Sequence, residues 1–158
     1  MTNQITAFEL CAMRGEVDPA APVRARGSIV INRAPDLVWT VLADVSNWPE
    51  FRSDIHDVAG AGTPVPGGSF SWSTGDIAVL SRLAIVEPGR RLTWTTAVPG
   101  LLEAVHVYLF EAAGRGATLV SAEESINAPI AAPQLDDAQL GRQIASWLAG
   151  IKAFTERQ

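Results

Sequence analysis

From Ile55 to Asn127 apolar residues alternate along the chain with period 2, where the flanking segments repeat at helical spacing. This switch constrains the fold more than any other feature. The alternating region divides into candidate strands at Ile55–Ala59, Ser69–Thr74, Ile77–Glu87, Arg91–Ala97, Ala104–Glu111 and Ala117–Asn127. Glycine- and proline-rich breaks separate them, among them Pro64–Gly68, Thr74-Gly75-Asp76, Glu87–Arg90, Pro99-Gly100 and Gly114-Arg115-Gly116. Such short connections suit antiparallel hairpins and cannot hold parallel crossovers. Upstream, the β-branched run Gly27–Arg33 adds a first strand. Ala34-Pro35-Asp36 then opens a helix carrying Val38, Val41, Leu42 and Val45, and Asn47-Trp48-Pro49-Glu50-Phe51 restarts it. Trp48 and Phe51 are placed to plug one end of a core. Downstream, Pro133, Asp136 and Asp137 start a long helix whose apolar face is Leu140, Ile144, Trp147, Leu148, Ile151 and Phe154. About seven antiparallel strands must curl, and the concave face needs a cover. The C-terminal helix is the one element able to supply it, so the expected class is α+β.

The rest of the composition narrows the function classes. The 158 residues suit one domain, preceded by an N-terminal extension over 1–22 that Asp18–Pro22 breaks from the domain at 23–158. A lone cysteine, Cys11, excludes an internal disulfide or a cysteine-cluster zinc site. The two histidines, His56 and His106, are too few for a histidine-built metal centre, and no metal or cofactor is expected. A net charge of −5 with no basic run beyond Arg90-Arg91 argues against nucleic acid. No apolar stretch approaches the roughly 20 residues that span a bilayer, and no leader is read at the N-terminus, so a cytoplasmic protein is expected. A homodimer stays open.

The segment Ile29–Trp39 followed by Asp44-Val45-Ser46-Asn47-Trp48-Pro49 resembles the START-related (SRPBCC) superfamily, and within it the polyketide cyclase/dehydrase-like group. The likeness continues through Phe70-Ser71-Trp72, Glu87–Trp94, His106–Phe110 and Glu123-Glu124-Ser125 to Leu148–Glu156, covering about residues 23–157. The resemblance implies a helix-grip fold with an apolar cavity between sheet and C-terminal helix. Its members range from lipid carriers and hormone receptors to aromatase/cyclases and co-chaperones, so the fold does not choose the activity.

Alternate strand residues should line such a cavity. The candidates are Phe70, Trp72, Leu92, Trp94, His106, Tyr108, Phe110, Leu119, Ser121 and Glu123, joined by Trp147 and Ile151 from the helix. If the hairpin at Gly114 pairs Phe110 with Leu119, His106 faces Glu123 and Tyr108 faces Ser121, about 5 Å apart at Cβ. A carboxylate there would favour the imidazolium. His106, Glu123 and Tyr108 are then the candidate acid–base groups, although an ordinary cross-strand polar pair is the simpler account. Trp72 and Trp94 are as readily packing residues. Arg82 is expected on the outer face and His56 at the surface. Neither Ser81 nor Ser121 sits in a nucleophile elbow. Glu123-Glu124 point to opposite faces and cannot flank one bond. The glycines at Gly60–Gly62 and Gly67-Gly68 lack the lysine and strand-to-helix context of a phosphate loop.

Three functions follow. The first is binding of a hydrophobic small molecule, lipid-like or polycyclic, in the cavity. The second is a cofactor-independent polyketide cyclase/dehydrase. The third is a protein-interaction module using the outer sheet. Convergent polar groups in the cavity would separate the second from the first.

Overall fold

The computed structural model describes residues 4–60, 62–130 and 132–158. Its elements run α1 (Ala7–Arg14), β1 (Val23–Ile31), α2 (Pro35–Ala43), a 3₁₀ turn (Val45–Asn47), α3 (Trp48–Phe51), β2 (Ile55–Ala59), β3 (Ser69–Thr74), β4 (Ile77–Glu87), β5 (Arg91–Val98), β6 (Leu102–Ala112), β7 (Thr118–Asn127) and α4 (Asp137–Thr155). The seven strands form one antiparallel sheet in the order β1-β7-β6-β5-β4-β3-β2. This is the helix-grip α+β architecture expected from the alternation. The strands from Ile55 onward keep their expected places, with β5 one residue longer, β6 three residues longer and β7 one residue shorter than expected. The first strand begins at Val23, four residues before the expected Gly27, because Val23 and Ala25 continue its inward row against Ile126 and Glu124 of β7.

α4 lies across the concave face. Its N-cap is Asp136, which accepts a hydrogen bond from the Gln139 backbone N–H at 2.8 Å. Leu140, Ile144, Leu148 and Ile151 are almost fully buried. The helix comes close enough to β1 that a Cβ on Gly27 would sit 3.1 Å from Ile144. At Gly150 the backbones meet: a Cβ there would be 2.5 Å from the Phe51 carbonyl oxygen. Glycine at these two contacts lets the helix seat against strand and plug.

The N-terminal extension contains a helix that alternation and proline placement do not reveal. α1 packs on the convex face, where Phe8 and Ala12 bury Val105 and Val107 and make a second, smaller core. Thr93 donates to the Ala12 carbonyl at 2.8 Å beneath it. Both faces of β5 and β6 are therefore buried, which is why sequence alternation leaves their inward face ambiguous. Arg82 lies on the outer face, and His56 is exposed beside Asp57.

The two glycines of α4 should respond oppositely to alanine. Gly150→Ala forces the Phe51 backbone to move and should cost about 1–3 kcal/mol. Gly141, whose added Cβ would meet only Ala25 at 3.9 Å, should gain about 0.5–1 kcal/mol from reduced chain freedom. Urea melts of the two variants against wild type check this.

Candidate functional site

The inward rows of β2 to β7 meet α4 and α3 around a cavity of about 160 Å³. Its aromatic walls are Trp48, Trp72, Trp94, Tyr108 and Trp147. Trp48 is the hub: its ring centroid lies 5.3 Å from Phe70, 5.7 Å from Trp72, and 5.4 Å from both Trp94 and Trp147. It holds that position by donating from Nε1 to the Leu42 carbonyl at 2.9 Å. Trp94 stacks on His106 at 4.7 Å and on Tyr108 at 5.0 Å, cross-strand neighbours on β6. Small and aliphatic side chains, Val79, Ala104, Ile126 and Ile144, leave the space that these rings enclose.

A polar row crosses this wall through five consecutive strands. Trp72 Nε1 donates to Ser81 Oγ at 3.0 Å, and Ser81 Oγ lies 2.9 Å from Thr96 Oγ1. Thr96 Oγ1 lies 3.2 Å from His106 Nε2, and His106 Nδ1 lies 3.4 Å from Glu124 Oε1. At the mouth Arg52 donates to Asp54 and to Thr74, each at 2.7 Å.

The carboxylate facing His106 is Glu124, which corrects the expected pairing with Glu123. The ladder pairs Phe110 with Val120, Tyr108 with Ala122 and His106 with Glu124. The turn holds one residue more than expected: Ala112 pairs with Thr118, and Gly114 and Gly116 both take positive φ, at 91° and 68°. A one-residue slip sends every side chain to the opposite face. Leu119, Ser121 and Glu123 accordingly lie on the outer face, with Glu123 between Val107 and Arg26. They are not cavity residues. Thr118 pins this register by donating to the Arg33 carbonyl at 2.7 Å.

The charge state is also reversed from expectation. Burial lowers His106 to about 3, helped by the Arg52 cation, so its imidazole is neutral and no imidazolium forms. Burial raises Glu124 to about 8 against the opposing pull of Arg52, so it is a carboxylic acid at neutral pH. The side chains of the pair are only 14% and 17% exposed, and two neutral groups cost less to bury than an ion pair. Burial, then the nearby Glu124, raises the Tyr108 phenol well above its usual range.

The remaining candidates separate cleanly. Trp72, Trp94, His106, Tyr108 and Trp147 line the cavity. Phe70, Phe110 and Ile151 point inward as expected but are consumed in close packing beside it. Trp48 serves both as the anticipated plug and as a cavity wall. Glu124, Thr96, Arg52, Ala104 and Gln143 are site residues that pattern reading missed. Only the hairpin register could have picked out Glu124, and it turns on a single loop residue.

A curved sheet gripping a helix over an aromatic-lined cavity defines a ligand-binding protein of the START-related type. Residues 22–153 match the family described as "Polyketide cyclase / dehydrase and lipid transport", and the chain belongs to it. No curated protein sequence matches significantly. Solved structures with the same fold include a hypothetical protein of Helicobacter pylori, at 15% identity and TM-score 0.76, with 98% of each chain covered. The di-domain ARO/CYC protein BexL from the BE-7585A biosynthetic pathway aligns at 19% identity and TM-score 0.64, over 84% of this chain and 46% of its own. A protein of the dynemicin biosynthetic locus aligns at 18% and 0.64, over 84% and 47%. This chain thus spans about half of each of those two. At such identities the likeness establishes the fold. No helix among the described residues is long and apolar enough to cross a membrane.

The neutral pair predicts a particular pH dependence of stability. Unfolded His106 takes a proton below about 6.5 while the folded chain refuses it down to about 3, so acid destabilises across that interval. Unfolded Glu124 releases its proton above about 4.5 while the folded chain keeps it to about 8, so stability from this group falls as pH rises through that interval. The two slopes cancel between about 4.5 and 6.5 and leave a plateau. Glu124→Gln should abolish the alkaline loss from 6.5 to 8 and spare the acid limb, as read by denaturation midpoints across pH.

Proposed function

We propose that the chain binds an uncharged, ring-bearing hydrophobic small molecule in the cavity between sheet and α4. The observation that carries this reading is the set of indole and phenol faces around a space left empty by Val79, Ala104 and Ile144. Rings pack on such walls with favourable edge and face contacts. The volume sets the scale: an apolar cavity of about 150 Å³ accepts benzene. A lipid-like or polycyclic ligand would need α3 and α4 to part.

The second reading, a cyclase/dehydrase-type enzyme, is favoured by the polar row. An acid held protonated beside a neutral imidazole is the division of roles that proton transfer on a bound carbonyl requires. In that reading Glu124 takes the part that pattern reading gave to Glu123, with His106 as base and Tyr108 as a further donor.

An apolar fluorescent probe should saturate at one site per chain and be displaced by neutral aromatic compounds, with nucleotides inert. Ala104→Phe, which fills the cavity from the β6 wall, should weaken probe binding by tenfold or more while the fold persists by circular dichroism. Competition by nucleotides alone, or unchanged binding in Ala104→Phe, overturns the cavity reading.

A further inference from the structure

We propose that the preferred ligand is a single-ring compound bearing a carbonyl oxygen, and that the Glu124 carboxylic acid O–H is the donor that holds this oxygen. The proposal deepens the cavity-binding reading and rests on it. Its basis is a count of protons along the polar row. Three hydrogen bonds join Trp72, Ser81, Thr96 and His106, and a fourth contact, the 3.4 Å approach of His106 Nδ1 to Glu124 Oε1, extends the row to Glu124. With Glu124 ionised, the row holds one proton each on Trp72 Nε1, Ser81, Thr96 and the imidazole, and each proton serves one contact. With Glu124 as an acid there is one proton too many. Either it turns inward, reverses the chain and leaves the Ser81 hydroxyl without an acceptor within the row, or it stays on the second carboxyl oxygen. Ser81 is 1% exposed and hemmed by Trp72 and Thr96, whereas Glu124 lines the cavity. A buried donor without a partner is costly, so the arrangement that a ligand oxygen can complete is the one with Glu124 O–H free.

The rest of the wall is biased the same way. Among the described residues the indole N–H of Trp94 is buried without an acceptor and that of Trp147 only approaches the Tyr108 phenol, and both rings line the cavity. Gln143 of α4 adds an amide. A phenol or alcohol would bring one more proton to a site already in surplus, whereas a ketone or quinone brings acceptors alone. The cavity volume of about 160 Å³ limits the compound to about one ring.

The groups facing Glu124 are His106 and Tyr108 on β6, Ala25 on β1 and the Arg52 guanidinium at the mouth; α4 brings uncharged Gln143 and Trp147. His106 stays neutral and the Tyr108 phenol stays protonated between pH 6.5 and the upper limit for Glu124, so carbonyl binding should follow the Glu124 proton.

Calorimetric titration with acetophenone and with ethylbenzene, equal in shape and differing in the acceptor, tests the inference. Wild type at about pH 6.5 should bind acetophenone about tenfold more tightly than ethylbenzene, and the advantage should vanish above the Glu124 transition near 8. Glu124→Gln, whose amide N–H₂ replaces the acid O–H, should keep the advantage at both pH values. Glu124→Leu should lose it while still binding ethylbenzene, which also reports an intact cavity. Equal affinities for the two compounds in wild type, or an advantage indifferent to pH, overturn the carbonyl assignment and leave the apolar cavity standing. Binding of neither compound overturns the cavity reading itself. The wild-type pH series decides the matter should a variant fail to fold.

Discussion

Everything in this molecule depends on α4 seating in the concave face of the sheet. The sheet is one layer deep and curved, and its inner row is buried by α4 together with α2 and α3. Leu140, Ile144, Leu148 and Ile151 close that row, and glycines at Gly27 and Gly150 set how near the helix comes. Large side chains at these contacts would lift the helix and open the interior to water. With the helix in place, the excess of rings over aliphatic volume leaves a space rather than a filled core. The cavity is thus a product of how Trp48, Trp72, Trp94 and Trp147 meet, edge to face and tilted, around small residues.

The convex face is buried in its own way. α1 covers the middle of β5 and β6, so those strands are packed on both sides. His106, Thr96 and Trp94 all stand on these two strands. A side chain that takes part in proton exchange or directional hydrogen bonding gains from such support, because a small displacement breaks a contact of 3 Å. The N-terminal extension therefore bears on the site without touching it.

The polar row shows how burial redistributes protons. An exposed histidine beside a glutamate would be drawn toward the ion pair. Inside an aromatic wall the cost of two desolvated charges exceeds their attraction, and the pair goes neutral. Arg52 at the mouth pulls both groups down without itself entering the dry interior, since Asp54 and Thr74 hold it there. The outcome is a site of donors set in hydrocarbon.

Sequence alone determined most of the fold. Alternation from Ile55 to Asn127 marks six strands, tight turns make them antiparallel, and the apolar stripe of α4 names its cover. These signals are local, and period 2 and period 3.6 are distinct over the length of one element. It also picked out the wall residues Trp72, Trp94, His106, Tyr108 and Trp147. α1 stayed hidden because an eight-residue helix is too short to carry a clear stripe, and its partner Val105–Val107 row makes β6 apolar on both sides. Only the tertiary structure decided between Glu123 and Glu124. Neighbouring residues on a strand face opposite ways, and the choice hangs on whether the turn at Gly114 holds four residues or five. That is settled by positive-φ glycines and by Thr118 finding the Arg33 carbonyl, a contact between residues 85 positions apart. The charge on the pair was equally beyond reach, since burial is a property of the packed whole.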